Sequence, residues 1–92
     1  MYGTIFRMKV KDGEKPNVIG LFKNRSSQRI QGAIATYLMI PDNSIGELVG
    51  VAVFKDKAAY VANANDPAQH EAFSELRTYL LEDPEWIDGE YA

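Results

Sequence analysis

His70 is the only histidine in the chain, and so the only side chain whose unperturbed titration falls near neutral pH. As a general base it would take the proton of a phenol or an enol. The alternative makes it an exposed residue in the first turn of an amphipathic helix, since no acid–base partner stands out in the sequence. Trp86, Tyr37, Tyr60 and Tyr91 supply flat apolar surface with a polar tip, suited either to lining an aromatic pocket or to packing in a core or a subunit interface. Arg7 sits on the same strand face as Ile5, a cation among apolar neighbours. It would bind an anionic group or pair with an acidic residue across an interface. Asn63, Asn65 and Asp66 fall where ligand-facing polar groups are expected, although helix capping accounts for Asp66.

Other chemistries find no residues to carry them. Gly-rich phosphate loops, a nucleophile elbow, Ser/His/Asp spacing and transition-metal ligand clusters are all absent from the sequence. The acidic run Glu82, Asp83, Glu85, Asp88 and Glu90 lacks the spacing of a calcium loop and reads as a solvated surface. Lys23, Arg25 and Arg29 form a small basic cluster without the interleaved aromatics of single-strand binding. No cofactor is expected.

The elements that must position these residues follow from periodicity. Residues Tyr2 to Lys11 alternate, with Tyr2, Thr4, Phe6, Met8 and Val10 on one face and Gly3, Ile5, Arg7, Lys9 and Lys11 on the other, as in a strand. Lys11-Asp12-Gly13 is a turn, and Pro16 opens a helix with Val18, Ile19, Leu21 and Phe22 inward. Gly32 to Ile40 forms a second strand, placing Ile34, Thr36, Leu38 and Ile40 opposite Ala33, Ala35, Tyr37 and Met39. The cluster Pro41-Asp42-Asn43-Ser44 then turns the chain into a third strand, Glu47 to Phe54. Asp56 caps a short helix, Lys57 to Ala64. Asp66, Pro67 and Gln69 then open a longer one that carries Ala72, Phe73, Leu76, Tyr79 and Leu80 and runs until Pro84 stops it. Glu85 to Tyr91 closes the chain as a strand.

This order is β, α, β, β, α in two pieces, β. It predicts an α+β fold of the ferredoxin-like βαββαβ type, a four-stranded antiparallel sheet with helices on one face. Both faces of the central hairpin are apolar, with Leu48, Ala52 and Phe54 opposing Val49, Val51 and Val53. Helices on one side leave the second face to be covered, and a second copy of the sheet is the economical cover. A homodimer through the sheet faces is therefore expected. At 92 residues the chain is expected to be one domain, residues 1–92, and without cysteines it cannot staple a small core with disulfides. The net charge of −3 argues against general nucleic-acid binding. No apolar run approaches the ~20 residues of a membrane span. Strand-like sequence from Tyr2 leaves no targeting segment ahead of the fold, and a soluble, cytoplasmic protein is expected.

Val51-Ala52-Val53-Phe54-Lys55-Asp56-Lys57-Ala58-Ala59-Tyr60, a strand, a short break and then Ala-Tyr, resembles the signature of the antibiotic biosynthesis monooxygenase-like (ABM-like) family. Asn65-Asp66-Pro67 and Leu76-Arg77-Thr78-Tyr79-Leu80-Leu81 are similar to its long second helix. The resemblance covers nearly the whole chain and implies a dimeric α+β barrel, in which two ferredoxin-like sheets pack face to face. Enzymes of the family include cofactor-free oxygenases of polycyclic aromatics and haem degraders. The haem degraders carry a first-strand Asn, a Trp after the third strand and a His on the long helix, and of these only the His has a counterpart near its position, His70. This chain has no Asn in its first strand and its only Trp is Trp86, so haem degradation is not implied.

Two functions remain open. One is a cofactor-free monooxygenase acting on a small aromatic substrate, with His70 as base, Trp86 and Tyr60 as pocket walls, and Arg7 or Asn63 as oxyanion partner. Tyr37 is a further candidate for the ligand pocket. The other is a non-catalytic homodimer that binds a small molecule or a partner protein.

Overall fold

A computed structural model describes residues 1–26 and 30–92. Arg29 and the side chain of Arg25 lie outside what is described, so the basic cluster is not assessed as a unit. The elements are β1 (Tyr2–Lys9), α1 (Lys15–Ser26), β2 (Ala33–Met39), β3 (Glu47–Phe54), α2 (Lys57–Ala64), α3 (Pro67–Arg77) and β4 (Glu85–Glu90). The strands form one antiparallel sheet in the order β2-β3-β1-β4, the ferredoxin-like arrangement.

The period-2 pattern of β1 is realised directly. Phe6, Met8 and Val10 are buried beneath the helices, whereas Ile5, Arg7 and Lys9 are exposed on the other side. Val18 of α1, Leu48 of β3, Leu76 of α3 and Leu80 join them in one apolar cluster. Burial of each such side chain contributes about 1.5–3 kcal/mol. Gly13 and Gly32 adopt φ of 78° and 81°, a region that disfavours a Cβ, and they mark the turns before α1 and β2.

Asp56 and Asp66 are the N-caps of α2 and α3. Their carboxylates accept from the backbone N–H groups of Ala59 and Ala68, both at 2.8 Å. Pro67 occupies the first position of α3, where its missing N–H has no consequence.

Element ends differ from the sequence expectation by a residue or two, and one helix end and one strand register differ in ways that have a physical cause. α3 ends at Arg77, capped by Thr78, rather than running to Leu81. Tyr79 and Leu81 instead engage β1, as Lys11 N–H donates to the Tyr79 carbonyl and Leu81 N–H to the Lys9 carbonyl. Bonds to a neighbouring strand replace another helical turn. In β2, a register shift between Ala33 and Ala35 sets Ala33 opposite Phe54 but Ala35 opposite Val53, so Ala33 does not share the face of Ala35, Tyr37 and Met39.

Candidate functional site

Cross-strand register explains where space is left between sheet and helices. On the helix-facing side, Leu38, Gly50, Phe6 and Trp86 form one row across the four strands, and Thr36, Ala52, Thr4 and Asp88 form the next. The second row is built of small side chains at its centre, so the helices above it do not close onto the sheet. The result is a cavity of about 520 Å³, within the size range of small-molecule sites. Thr4, Thr36 and Ala52 make its floor. Phe6, Phe22, Phe54, Phe73 and Trp86 make its apolar walls, and Tyr60, Asn63, Gln69, His70 and Ser74 are its polar groups. A second depression, about 700 Å³, lies towards α1 and the outer surfaces of α2 and α3. It shares Phe22, Ile30, Asn63, Gln69 and Leu76 with the first.

The walls are held by aromatic packing. Phe6 contacts Trp86 at 4.8 Å between centroids and Phe22 at 5.8 Å, and Trp86 reaches Phe73 at 5.9 Å. At the other end, Tyr60 lies 5.5 Å from both Tyr2 and Phe54.

His70 Nε2 lies 3.0 Å from the Ala64 carbonyl oxygen. A carbonyl only accepts, so Nε2 carries the proton and, in the neutral ring, Nδ1 carries the lone pair. The capping geometry of Asp66 sets this contact up, because it turns α3 so that its first turn faces the end of α2. The sequence offered no partner for His70; the structure supplies a backbone carbonyl.

Tyr60 Oη donates to Asp88 Oδ1 at 2.9 Å. Its phenol is pushed up to about 12, first by burial and then by the hydrogen bond to Asp88. Asp88 belongs to the acidic run read as solvated surface. The run stays exposed but acquires separate partners: Glu82 pairs with Lys9 at 3.2 Å, Asp83 with Arg77 at 2.8 Å, and Asp88 accepts from Tyr60. Strand alternation carried the signal for Asp88, since a residue two beyond Trp86 shares its face.

Of the six residues given catalytic or pocket roles from the sequence, His70, Tyr60, Asn63 and Trp86 come together on this cavity. Arg7 and Tyr37 do not. They lie on the opposite face of the sheet, where Tyr37 is in register with Val51, Ile5 and Ile87, and Arg7 with Val49 and Glu85. The odd-numbered positions of β1 and β2 point away from the helices, which places both residues on the outer surface. Among the described residues, no group of three or more His, Cys, Asp or Glu side chains could hold a metal, and no helix is long and apolar enough to cross a membrane.

The fold defines an α+β protein of the ferredoxin-like class with a ligand-sized cavity beneath its helices. It is the fold of solved ABM-like structures. One, described as an antibiotic biosynthesis monooxygenase, superposes with a TM-score of 0.81 at 14% identity, covering 100% of this chain and 99% of that one. A conserved protein from Methanosarcina mazei Go1 gives 0.86 at 15% identity, covering 99% and 92%. SnoaB, a cofactor-independent oxygenase from Streptomyces nogalater, gives 0.81 at 15%, covering 99% and 94%. No family model matches the chain, and no curated protein sequence matches it.

Proposed function

We propose that the chain acts as a homodimer on a small aromatic molecule held in the cavity under α2 and α3, as a cofactor-free monooxygenase. The observation that carries this is the placement of the sole histidine, with its Nε2 proton directed to Ala64, on an apolar cavity walled by Phe6, Phe73 and Trp86. Kinship of fold with a cofactor-independent oxygenase supports the same reading. In such a reaction the substrate is the electron donor and dioxygen the oxidant. His70 Nδ1 takes a proton from an acidic C–H, the carbanion adds O2 as a peroxide anion that takes that proton back, and the hydroperoxide loses water together with the second C–H hydrogen to leave a carbonyl. The aromatic walls give the carbanion an apolar surface to lie against, and the Asn63 amide is available to the developing oxyanion.

The homodimer is supported by the outer sheet face. Tyr37, Ile5 and Ile87 stand in one row with Val51, and Tyr37 and Ile87 are 68% and 69% exposed. Met39 at 60% exposure continues the apolar surface. A contiguous apolar patch of this kind marks an interaction surface. Arg7, beside Glu85 in register, would place opposite charges at this interface.

The test is oxygen consumption with anthrone, a planar aromatic ketone with an acidic methylene. The wild-type protein should consume one O2 per quinone formed, and His70→Ala should lower the rate by about 10²-fold or more. A rate no greater than the protein-free blank, or full activity in His70→Ala, would remove the monooxygenase reading. A binding-only homodimer is the second reading, favoured by one observation. The His70–Ala64 bond closes the joint between α2 and α3, which gives His70 a structural task without any reaction.

A further inference from the structure

Four groups lining the cavity direct their single protons back into the protein. Thr4 Oγ1 donates to the Ile87 carbonyl at 3.2 Å, Tyr60 Oη to Asp88 Oδ1 at 2.9 Å, Ser74 Oγ to the His70 carbonyl at 3.0 Å, and His70 Nε2 to the Ala64 carbonyl at 3.0 Å. A hydroxyl or a neutral imidazole has one proton to give. What these groups can offer a ligand is therefore lone pairs. The amides of Asn63 and Gln69 and the Thr36 hydroxyl carry both donor and acceptor and do not bias the cavity either way.

Among the four, Tyr60 differs because its acceptor is a side chain that a substitution can remove. Its ring is fixed independently of that bond, between Tyr2 and Phe54 at 5.5 Å each. Asp88 reaches it because β4 pairs in register with β1, setting Asp88 opposite Thr4 on the helix-facing side. The phenol is raised to about 12, so at neutral pH its proton stays on the oxygen and points at the carboxylate.

We propose that Asp88 determines specificity: by accepting the Tyr60 proton it holds the Tyr60 oxygen as an acceptor towards the cavity, which thereby selects ligands that enter as hydrogen-bond donors. This rests on the reading of the cavity as a ligand site. Asp88 acts through Tyr60 and is a positioning residue. A ligand that sets an acceptor or a negative charge directly against the Tyr60 oxygen would place lone pairs against lone pairs there, and the unmet group opposes binding. A ligand with a hydroxyl meets it. The neutral form of a phenol is accordingly held in preference to its anion.

The test is a matched pair of probes, 2-naphthol and 2-methoxynaphthalene, titrated by fluorescence into the wild type, Asp88→Ala, Asp88→Glu and Tyr60→Phe. The two probes share a ring system and differ in the one donor. Wild type should bind 2-naphthol about 10-fold tighter, the effect of one well-placed hydrogen bond. In Asp88→Ala the Tyr60 hydroxyl is released to donate inward. Affinity for 2-methoxynaphthalene should rise and the preference should fall to near unity. Tyr60→Phe should lose the preference by weakening 2-naphthol alone, and Asp88→Glu should restore it.

A purely structural role for Asp88 would weaken both probes together and leave their ratio unchanged, which would overturn the inference. Equal affinity of the wild type for both probes would also overturn it while sparing the cavity reading. Binding of neither probe, with the circular dichroism spectrum intact, would overturn the cavity reading and the inference with it.

Discussion

Gly50 is buried in the centre of β3, opposite Phe6 of β1 and Leu38 of β2. A Cβ added there would fall inside the van der Waals envelope of the Phe6 ring, meeting Cζ and both Cε atoms. The ring cannot slide aside cheaply, because Trp86 at 4.8 Å and Phe22 at 5.8 Å flank it. Gly50→Ala is therefore an overpacking substitution, of a kind that costs about 1–3 kcal/mol. For a chain of this size the melting temperature should fall by about 5–20 °C. The assay is thermal unfolding by circular dichroism at fixed protein concentration, which keeps any association constant. The background of Phe6→Leu isolates the cause. There the same glycine substitution should cost much less, giving a coupling of about 1 kcal/mol or more in a double-mutant cycle. Because Phe6 also walls the cavity, Gly50→Ala should weaken 2-naphthol binding. An unchanged melting temperature, or an equal loss in both backgrounds, would refute the idea that this glycine exists to seat the ring.

Val51→Lys on the outer sheet face should convert the proposed dimer to monomer, read by native mass spectrometry; an unchanged dimer would show that the copies meet elsewhere. Tyr60 should be the last tyrosine to ionise in a 295 nm titration, with a step near pH 12 that is missing in Tyr60→Phe. Its folded-state value lies above the ordinary 10, so the stability it contributes is complete below pH 10 and is lost as pH rises from 10 to about 12. A step within the ordinary tyrosine range would contradict the burial and the Asp88 bond together. Asp66→Ala removes the N-cap of α3 and should lower stability by about 1 kcal/mol, measured by urea unfolding. A matching loss in Asp66→Asn, which keeps a capping oxygen, would argue against the cap as the cause.

The fold was legible because each element had its own local signature. The alternation of β1, the bounds of α2, the caps Asp56 and Asp66 and the position of Pro67 depend on residues within a turn or two of one another. What failed to show depends on distant partners. The early end of α3 is set by bonds to Lys9 and Lys11 of the first strand and its extension, and the shift at Ala33 by pairing with β3. The site divides the same way. His70, Tyr60, Asn63 and Trp86 could be proposed by residue type, and chain topology does gather them. Arg7 and Tyr37 were proposed by type as well, yet their strand parity sends them to the outer face. Residue type names a chemistry, whereas parity decides which side receives it. Asp88 stays exposed, as the acidic run was read, yet its alternation with Trp86 puts it on the helix-facing side within reach of Tyr60, a partner that a count of charges does not name.

The strand order has a consequence for how the protein is made. β1 is translated before every other element, yet it lies between β3 and β4, and the latter is the final strand. Thr4 is bound by the Tyr91 hydroxyl at 2.9 Å, a contact spanning nearly the whole sequence. On the ribosome, β1 therefore emerges with both hydrogen-bonding edges bare and waits for partners encoded far downstream. Such non-local pairing slows folding and prolongs exposure of the nascent strand. Alternating lysine and arginine with apolar residues along its outward side, at Arg7 and Lys9, gives that waiting segment charge repulsion against other nascent copies.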